Sequence, residues 1–147
     1  MNIYFVCTGN TCRSPMAAAI LRNKNIENLQ VKSAGVYAAD GAPMSVNAIS
    51  VLNEMNLDTE HASKQFSQKD VDWADLILTM TTSHKLAIVQ MYPEAKEKVF
   101  TLTEYIERPE LGDVVDPFGG NEEVYKMIFE QLNEYIDEAT NRLRKGS

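Results

Sequence analysis

Cys7, Arg13 and Ser14 stand in the run Cys7-Thr8-Gly9-Asn10-Thr11-Cys12-Arg13-Ser14, with five residues between the cysteine and the arginine. A thiolate is a strong nucleophile, and a guanidinium presents paired N–H donors that match phosphoryl oxygens. The backbone N–H groups of a loop that opens a helix can point inward together as a nest for an oxyanion. The candidate phosphate cradle is therefore Thr8, Gly9, Asn10, Thr11, Cys12, Arg13 and Ser14. Gly9 permits a backbone angle that a bulkier residue resists. The positive surroundings are expected to favour the thiolate of Cys7, and the Ser14 hydroxyl can donate to its sulfur, first as nucleophile and then as leaving group. The chemistry implied is in-line phosphoryl transfer through a phosphocysteine. A lone cysteine at a strand end is more often structural; the spacing to Arg13-Ser14 at a strand-to-helix turn favours the nucleophile.

Such a loop needs a strand before it and a helix after it. Ile3 to Cys7 reads as a buried strand, and Ser14-Pro15 reads as a helix start, with Ser14 as N-cap and Pro15 at the first helical position. That helix is expected to reach about Lys24. Strand-like runs then alternate with helical patterns, which predicts a parallel α/β sheet. The strands are expected at 30–34, 76–80 and 99–102, and helices at 45–55, 67–73 and 83–92. The last helix has a clear apolar stripe, Val124, Ile128, Leu132, Ile136, Ala139 and Leu143, with Asn121 as its cap. Between the fourth strand and this helix, 104–120 reads as a long irregular loop, a common place for function.

The chain has 147 residues, 44% hydrophobic and 24% charged, which suits one soluble domain spanning 1–147. A net charge of −7 argues against nonspecific nucleic-acid binding. The apolar start is short and lacks a basic flank, so it is expected to be a strand and not a signal peptide. No run is long enough to span a membrane. The expected location is the cytoplasm, where two closely spaced cysteines suggest a reactive thiol more than a structural disulfide.

With these residues in view, the sequence resembles the low-molecular-weight protein-tyrosine phosphatases. The resemblance rests on Val6 to Pro15 near the N-terminus and Asp116-Pro117-Phe118 near the C-terminus, and it covers essentially the whole chain. It implies a three-layer fold, a four-stranded parallel sheet with helices on both faces, and catalysis by Cys7 and Arg13. It also implies a general acid, Asp116, which protonates the leaving atom and then activates water. Asp113 is a nearby competitor that lacks the following Pro-Phe. The resemblance further matches Asn10, Ser33 and His61 to a group that holds the loop asparagine in a strained conformation. His84 is left as structural or exposed. No metal or cofactor is implied, the partners are phosphorylated proteins, and nothing demands more than a monomer.

Thr11 bears on substrate class. Gly9-Asn10-Thr11 with Asp116-Pro117-Phe118-Gly119-Gly120 resembles the bacterial protein arginine phosphatase branch. Where tyrosine-directed members carry an aliphatic side chain against the ring, Thr11 offers a hydroxyl and less volume, which suits a planar, polar phospho-guanidinium. Phe118 and Tyr37 are expected as pocket walls. Phospho-arginine is therefore expected ahead of phospho-tyrosine; the other reading of Thr11 is a neutral substitution in a tyrosine phosphatase. An arsenate reductase of this fold would need further cysteines for its disulfide relay. A non-catalytic phosphoprotein-binding domain would be expected to lack Cys7 or Asp116. For Cys12 two readings stand: a reversible disulfide partner for oxidised Cys7, or a small buried residue beneath the loop.

Overall fold

The computed structural model describes residues 1–145. Four strands, β1 (Asn2–Cys7), β2 (Gln30–Gly35), β3 (Leu76–Thr79) and β4 (Val99–Thr101), form one sheet in the order β2-β1-β3-β4. Every pairing is parallel. Parallel neighbours require crossovers, and helices supply them: α1 (Arg13–Asn23), α2 (Val46–Glu54), α3 (Gln68–Trp73), α4 (Thr82–Met91), α5 (Leu102–Tyr105) and α6 (Glu122–Lys145).

β1 lies inside the sheet and is buried from Ile3 to Cys7. Because side chains alternate along a strand, its residues divide between two cores. Ile3 and Phe5 join Met16, Leu21, Leu52, Leu132 and Ile136 on one face. Tyr4 and Val6 join Phe66, Val71, Ile77 and Ile88 on the other. Helices thus cover both faces, as the resemblance implies.

The expected elements are present, with shifts at their ends. Leu102 leaves the fourth strand and opens α5, where Thr101 and Glu104 form a reciprocal capping box. The stretch 104–120 is accordingly less irregular than its composition suggests, since it also holds a 3-10 turn at Pro109–Leu111. α4 starts one residue earlier than expected because the Thr81 hydroxyl accepts the His84 N–H and caps it. In α6, Asn121 Oδ1 accepts from Val124 N–H at 3.1 Å, while Tyr125, Phe129 and Tyr135 widen the buried stripe.

The start of α1 needs correction. The helix begins at Arg13, with Cys12 in the capping position, so Ser14 and Pro15 lie inside its first turn. Pro15 is tolerated there because the first N–H groups of a helix have no intrahelical partner. Ser14 does not cap the helix; its hydroxyl is used elsewhere, as follows.

Candidate active site

β1 delivers Cys7 to the carboxyl end of the sheet, opposite Gly35 in register. The loop is held from beneath by the chain that leaves β2. Val36 N–H donates to the Cys7 carbonyl at 2.9 Å, and Tyr37 N–H to the Thr8 carbonyl at 3.0 Å. This approach requires glycine at 35, since a Cβ there would lie 2.2 Å from the Thr8 carbonyl oxygen.

Asn10 is the centre of the loop. It is fully buried and left-handed, with φ of 58°. That conformation disfavours most side chains by about 1–2 kcal/mol, and four hydrogen bonds hold it. The Asn10 amide donates to Ser14 Oγ at 2.8 Å and Ser33 Oγ at 3.0 Å. Its Oδ1 accepts from Lys64 N–H at 3.1 Å, and its carbonyl accepts from His61 Nε2 at 2.6 Å. Because a carbonyl only accepts, the His61 proton sits on Nε2. Burial holds the His61 pKa below its ordinary value, which keeps the ring neutral, although the Asn10 bond pulls the other way.

Ser14 Oγ lies 2.9 Å from Cys7 Sγ. With the Asn10 amide donating to Ser14, the hydroxyl proton has two acceptors, the Cys7 sulfur at 2.9 Å and the Ala34 carbonyl at 3.4 Å, of which the sulfur is the nearer. Cys7 itself is buried. Burial pushes its thiol up from the ordinary value, opposed by the Ser14 hydroxyl and N–H, the Arg13 charge and the Asn10 N–H. The influences expected to favour the thiolate are thus in place, but the loss of water around the buried sulfur outweighs them.

Arg13 is buried and donates through one terminal nitrogen to the Val114 carbonyl at 2.8 Å. The other lies 3.7 Å from Asp116 Oδ2. The Asp116 side chain is 52% exposed, and its Oδ1 accepts the Phe118 N–H at 3.0 Å. A cavity of about 260 Å³ is lined by the loop from Cys7 to Arg13, by Asp116 and by Phe118. The candidate nucleophile, the candidate cradle and the Asp116 carboxylate therefore line one space.

Thr11 lines this cavity, and its carbonyl is fixed by the Ser45 N–H at 3.0 Å. Phe118 stands at the rim, 79% exposed. Tyr37 does not line the cavity; the residue is 86% exposed and its backbone N–H bonds to the loop. Asp113 does not line it either, because its carboxylate accepts the Thr82 N–H at 2.9 Å. Cys12 is a buried free thiol whose sulfur lies 3.3 Å from the Tyr125 hydroxyl and 3.5 Å from Ser45 Oγ.

Of the two readings of His84, structural or exposed, the burial of the ring excludes the exposed one. It is buried, its Nε2 lies 2.8 Å from Thr8 Oγ1, and its Nδ1 has no hydrogen-bond partner among the described residues. Burial and the nearby Arg13 charge press its pKa down to about 4. Tyr125, Lys64 and His84 join the loop from distant parts of the chain, and no local spacing signalled them. No group of three or more potential metal ligands occurs among the described residues.

A model of the low molecular weight phosphotyrosine protein phosphatases matches residues 2–147. The chain belongs to that family. Low molecular weight phosphatases are enzymes, and the relatives of this one carry two kinds of name. It is 49% identical over 142 residues to a protein-arginine-phosphatase of Geobacillus stearothermophilus, covering 97% of this chain and 95% of that one. It is 45% identical over 132 residues to the low molecular weight protein-tyrosine-phosphatase PtpB of Staphylococcus haemolyticus, covering 90% and 92%. Among solved structures, the YwlE arginine phosphatase with a C7S mutation and a phosphorylated active site serine superposes with a TM-score of 0.94. That pair is 38% identical and covers 99% of this chain and 97% of the other.

Proposed function

We propose that this phosphatase removes phosphoryl groups from arginine side chains of proteins, with Cys7 as nucleophile, Arg13 as oxyanion clamp and Asp116 as general acid and base. The observation that carries the reading is the shared cavity, with Cys7 at its base, Asp116 at its rim and Thr11 on its wall.

In the first step the Cys7 thiolate attacks phosphorus, the S–P bond forms and the P–N bond breaks. The loop N–H groups and Arg13 hold the three non-bridging oxygens, and Asp116 gives its proton to the leaving guanidine nitrogen. In the second step Asp116, now a carboxylate, takes a proton from water as its oxygen attacks phosphorus. The S–P bond breaks, and the Ser14 hydroxyl stabilises the departing thiolate. Ser33, His61 and the Asn10 side chain act through the shape of the loop, whereas the Asn10 N–H faces the Cys7 sulfur.

For the substrate, the support is the polar Thr11 on the wall and the name carried by the Geobacillus relative. Phospho-tyrosine is the second reading, favoured by the name of the Staphylococcus relative. Peptides bearing each phospho-residue, tested with wild type and Thr11→Ile, separate the two. The expected result is a wild-type preference for phospho-arginine that Thr11→Ile moves toward phospho-tyrosine. A wild-type preference for phospho-tyrosine would sink the assignment, and an unchanged preference in Thr11→Ile would sink its explanation.

The same reading makes the chain one phosphatase domain, working as a monomer in the cytoplasm on phosphorylated proteins. Its support is the pair of free thiols, which suit a reducing compartment. No helix among the described residues is long and apolar enough to cross a membrane. For Cys12 the reading is redox protection. Peroxide oxidises Cys7 to a sulfenic acid, which condenses with the Cys12 thiol to a disulfide and water. Peptide mapping after peroxide treatment should find that bridge; sulfinic Cys7 with no bridge leaves Cys12 as a buried packing residue.

A further inference from the structure

Asp116 is half-exposed, and its contact with Arg13 at 3.7 Å is too long to fix its position by a direct hydrogen bond. Something else must hold the loop that carries it. Val114, two residues earlier, is buried and bonded at both ends: its N–H donates to the Met80 carbonyl at 2.8 Å and its carbonyl accepts from Arg13 at 2.8 Å. Gly112 is held as well, its carbonyl accepting the Thr103 hydroxyl at 2.9 Å, but neither bond reaches the first turn of α4, and Val115 is largely exposed. The attachment to that turn comes from Asp113. Its Oδ1 accepts the Thr82 N–H at 2.9 Å and lies 3.3 Å from the Thr82 hydroxyl.

Thr82 opens α4, where the first N–H groups lack intrahelical partners and attract an acidic acceptor. Within the same turn, His84 reaches the phosphate loop through Thr8. The first turn of α4 therefore touches both loops that line the cavity, one through Thr82 and the other through His84.

We propose that Asp113 is a positioning residue, which by holding Thr82 registers the acid loop against the phosphate loop and keeps Asp116 over the cavity. The proposal rests on the reading of Asp116 as general acid. Its signature is therefore dependence on the leaving group. A substrate whose leaving group departs well without a proton has little need of a placed acid, whereas one that departs poorly depends on it.

The test is kcat/KM, which reports the steps up to departure of the leaving group, on aryl phosphates with a good (nitrophenol) and a poor (phenol) leaving group, with inhibition by inorganic phosphate as a monitor of the Cys7 loop. Asp116→Ala should lose far more activity on the poor leaving group than on the good one. Asp113→Ala should follow it in miniature, losing about tenfold on the poor leaving group and less than about twofold on the good one, as expected for a misplaced acid. Its inhibition by phosphate should stay at the wild-type level. Asp113→Asn should recover most of the loss, because the amide oxygen still accepts the Thr82 N–H. Equal losses on both substrates, weakened phosphate inhibition, or no loss in Asp113→Ala would overturn the proposal while leaving Asp116 as the acid. An Asp116→Ala variant insensitive to the leaving group would remove the reading of Asp116, and the role of Asp113 with it.

Discussion

In the proposed mechanism, Ser14 and Asn10 are the two residues through which the phosphate loop governs its nucleophile. Ser14 accepts from the Asn10 amide, and its hydroxyl stands nearer to the Cys7 sulfur than to its other acceptor, the Ala34 carbonyl. Burial already pushes the Cys7 thiol up, and the Ser14 hydroxyl is the largest influence pulling it back. Ser14→Ala should therefore raise the thiol pKa, so that alkylation of Cys7 by iodoacetamide begins at higher pH than in wild type. It should also lower kcat roughly ten- to a hundredfold, the equivalent of a hydrogen bond to a charged group at about 1.5–3 kcal/mol. Asn10 tests the backbone. Asn10→Gly accepts the left-handed angle but loses the side-chain bonds; Asn10→Ala loses both. Urea unfolding should find Asn10→Ala less stable than Asn10→Gly by about 1 kcal/mol. Equal stability would mean that the positive φ stores no strain.

At the scale of elements, the strand-loop-helix unit was readable because its parts are contiguous. The strand β1 is continuously apolar, and the loop follows it directly. The last helix was readable from its period, and its packing is testable: Leu132 is fully buried against the sheet, so Leu132→Ala should destabilise by about 2–5 kcal/mol in urea unfolding. The KM for substrate should not change, because Leu132 lies outside the cavity lining. The support of Asn10 by Ser33 and His61 was reached through family resemblance and not through spacing. What stayed hidden were pairings between elements far apart in the chain. Asp113 meets Thr82 across 31 positions, His84 meets Thr8 across 76, and Tyr125 meets Cys12 across 113. Such contacts depend on how β3, α4 and α6 pack, which no local pattern encodes. The misplaced cap at Ser14 has a related cause: a serine at a helix start satisfies the capping pattern, but here a tertiary partner, the Cys7 sulfur, claims its hydroxyl.

Across the whole molecule, burial of the site couples stability to pH. His84 is pressed from 6.5 down to about 4. A depressed histidine pKa means that the unfolded chain takes up its proton first as pH falls. Stability is therefore highest above pH 6.5 and declines toward pH 4, by at most about 3 kcal/mol from this residue. His61 is shifted the same way and adds to the decline. Asp113, Asp116 and Arg13 surround His84 electrostatically, with the arginine strengthening the shift and the carboxylates weakening it. Urea unfolding between pH 7 and pH 4.5 should show the fall, and His84→Gln should flatten it; a slope unchanged in His84→Gln would place its origin elsewhere. The central claim concerns chemistry at Cys7, and trapping the intermediate tests it most directly. The enzyme is mixed with a phospho-arginine peptide, quenched with denaturant within one turnover and mapped by mass spectrometry. The account predicts one phosphoryl group on Cys7, formed faster from phospho-arginine than from phospho-tyrosine, and none in Cys7→Ala. Turnover of phospho-arginine by Cys7→Ala, or wild-type turnover that never labels Cys7, would contradict it.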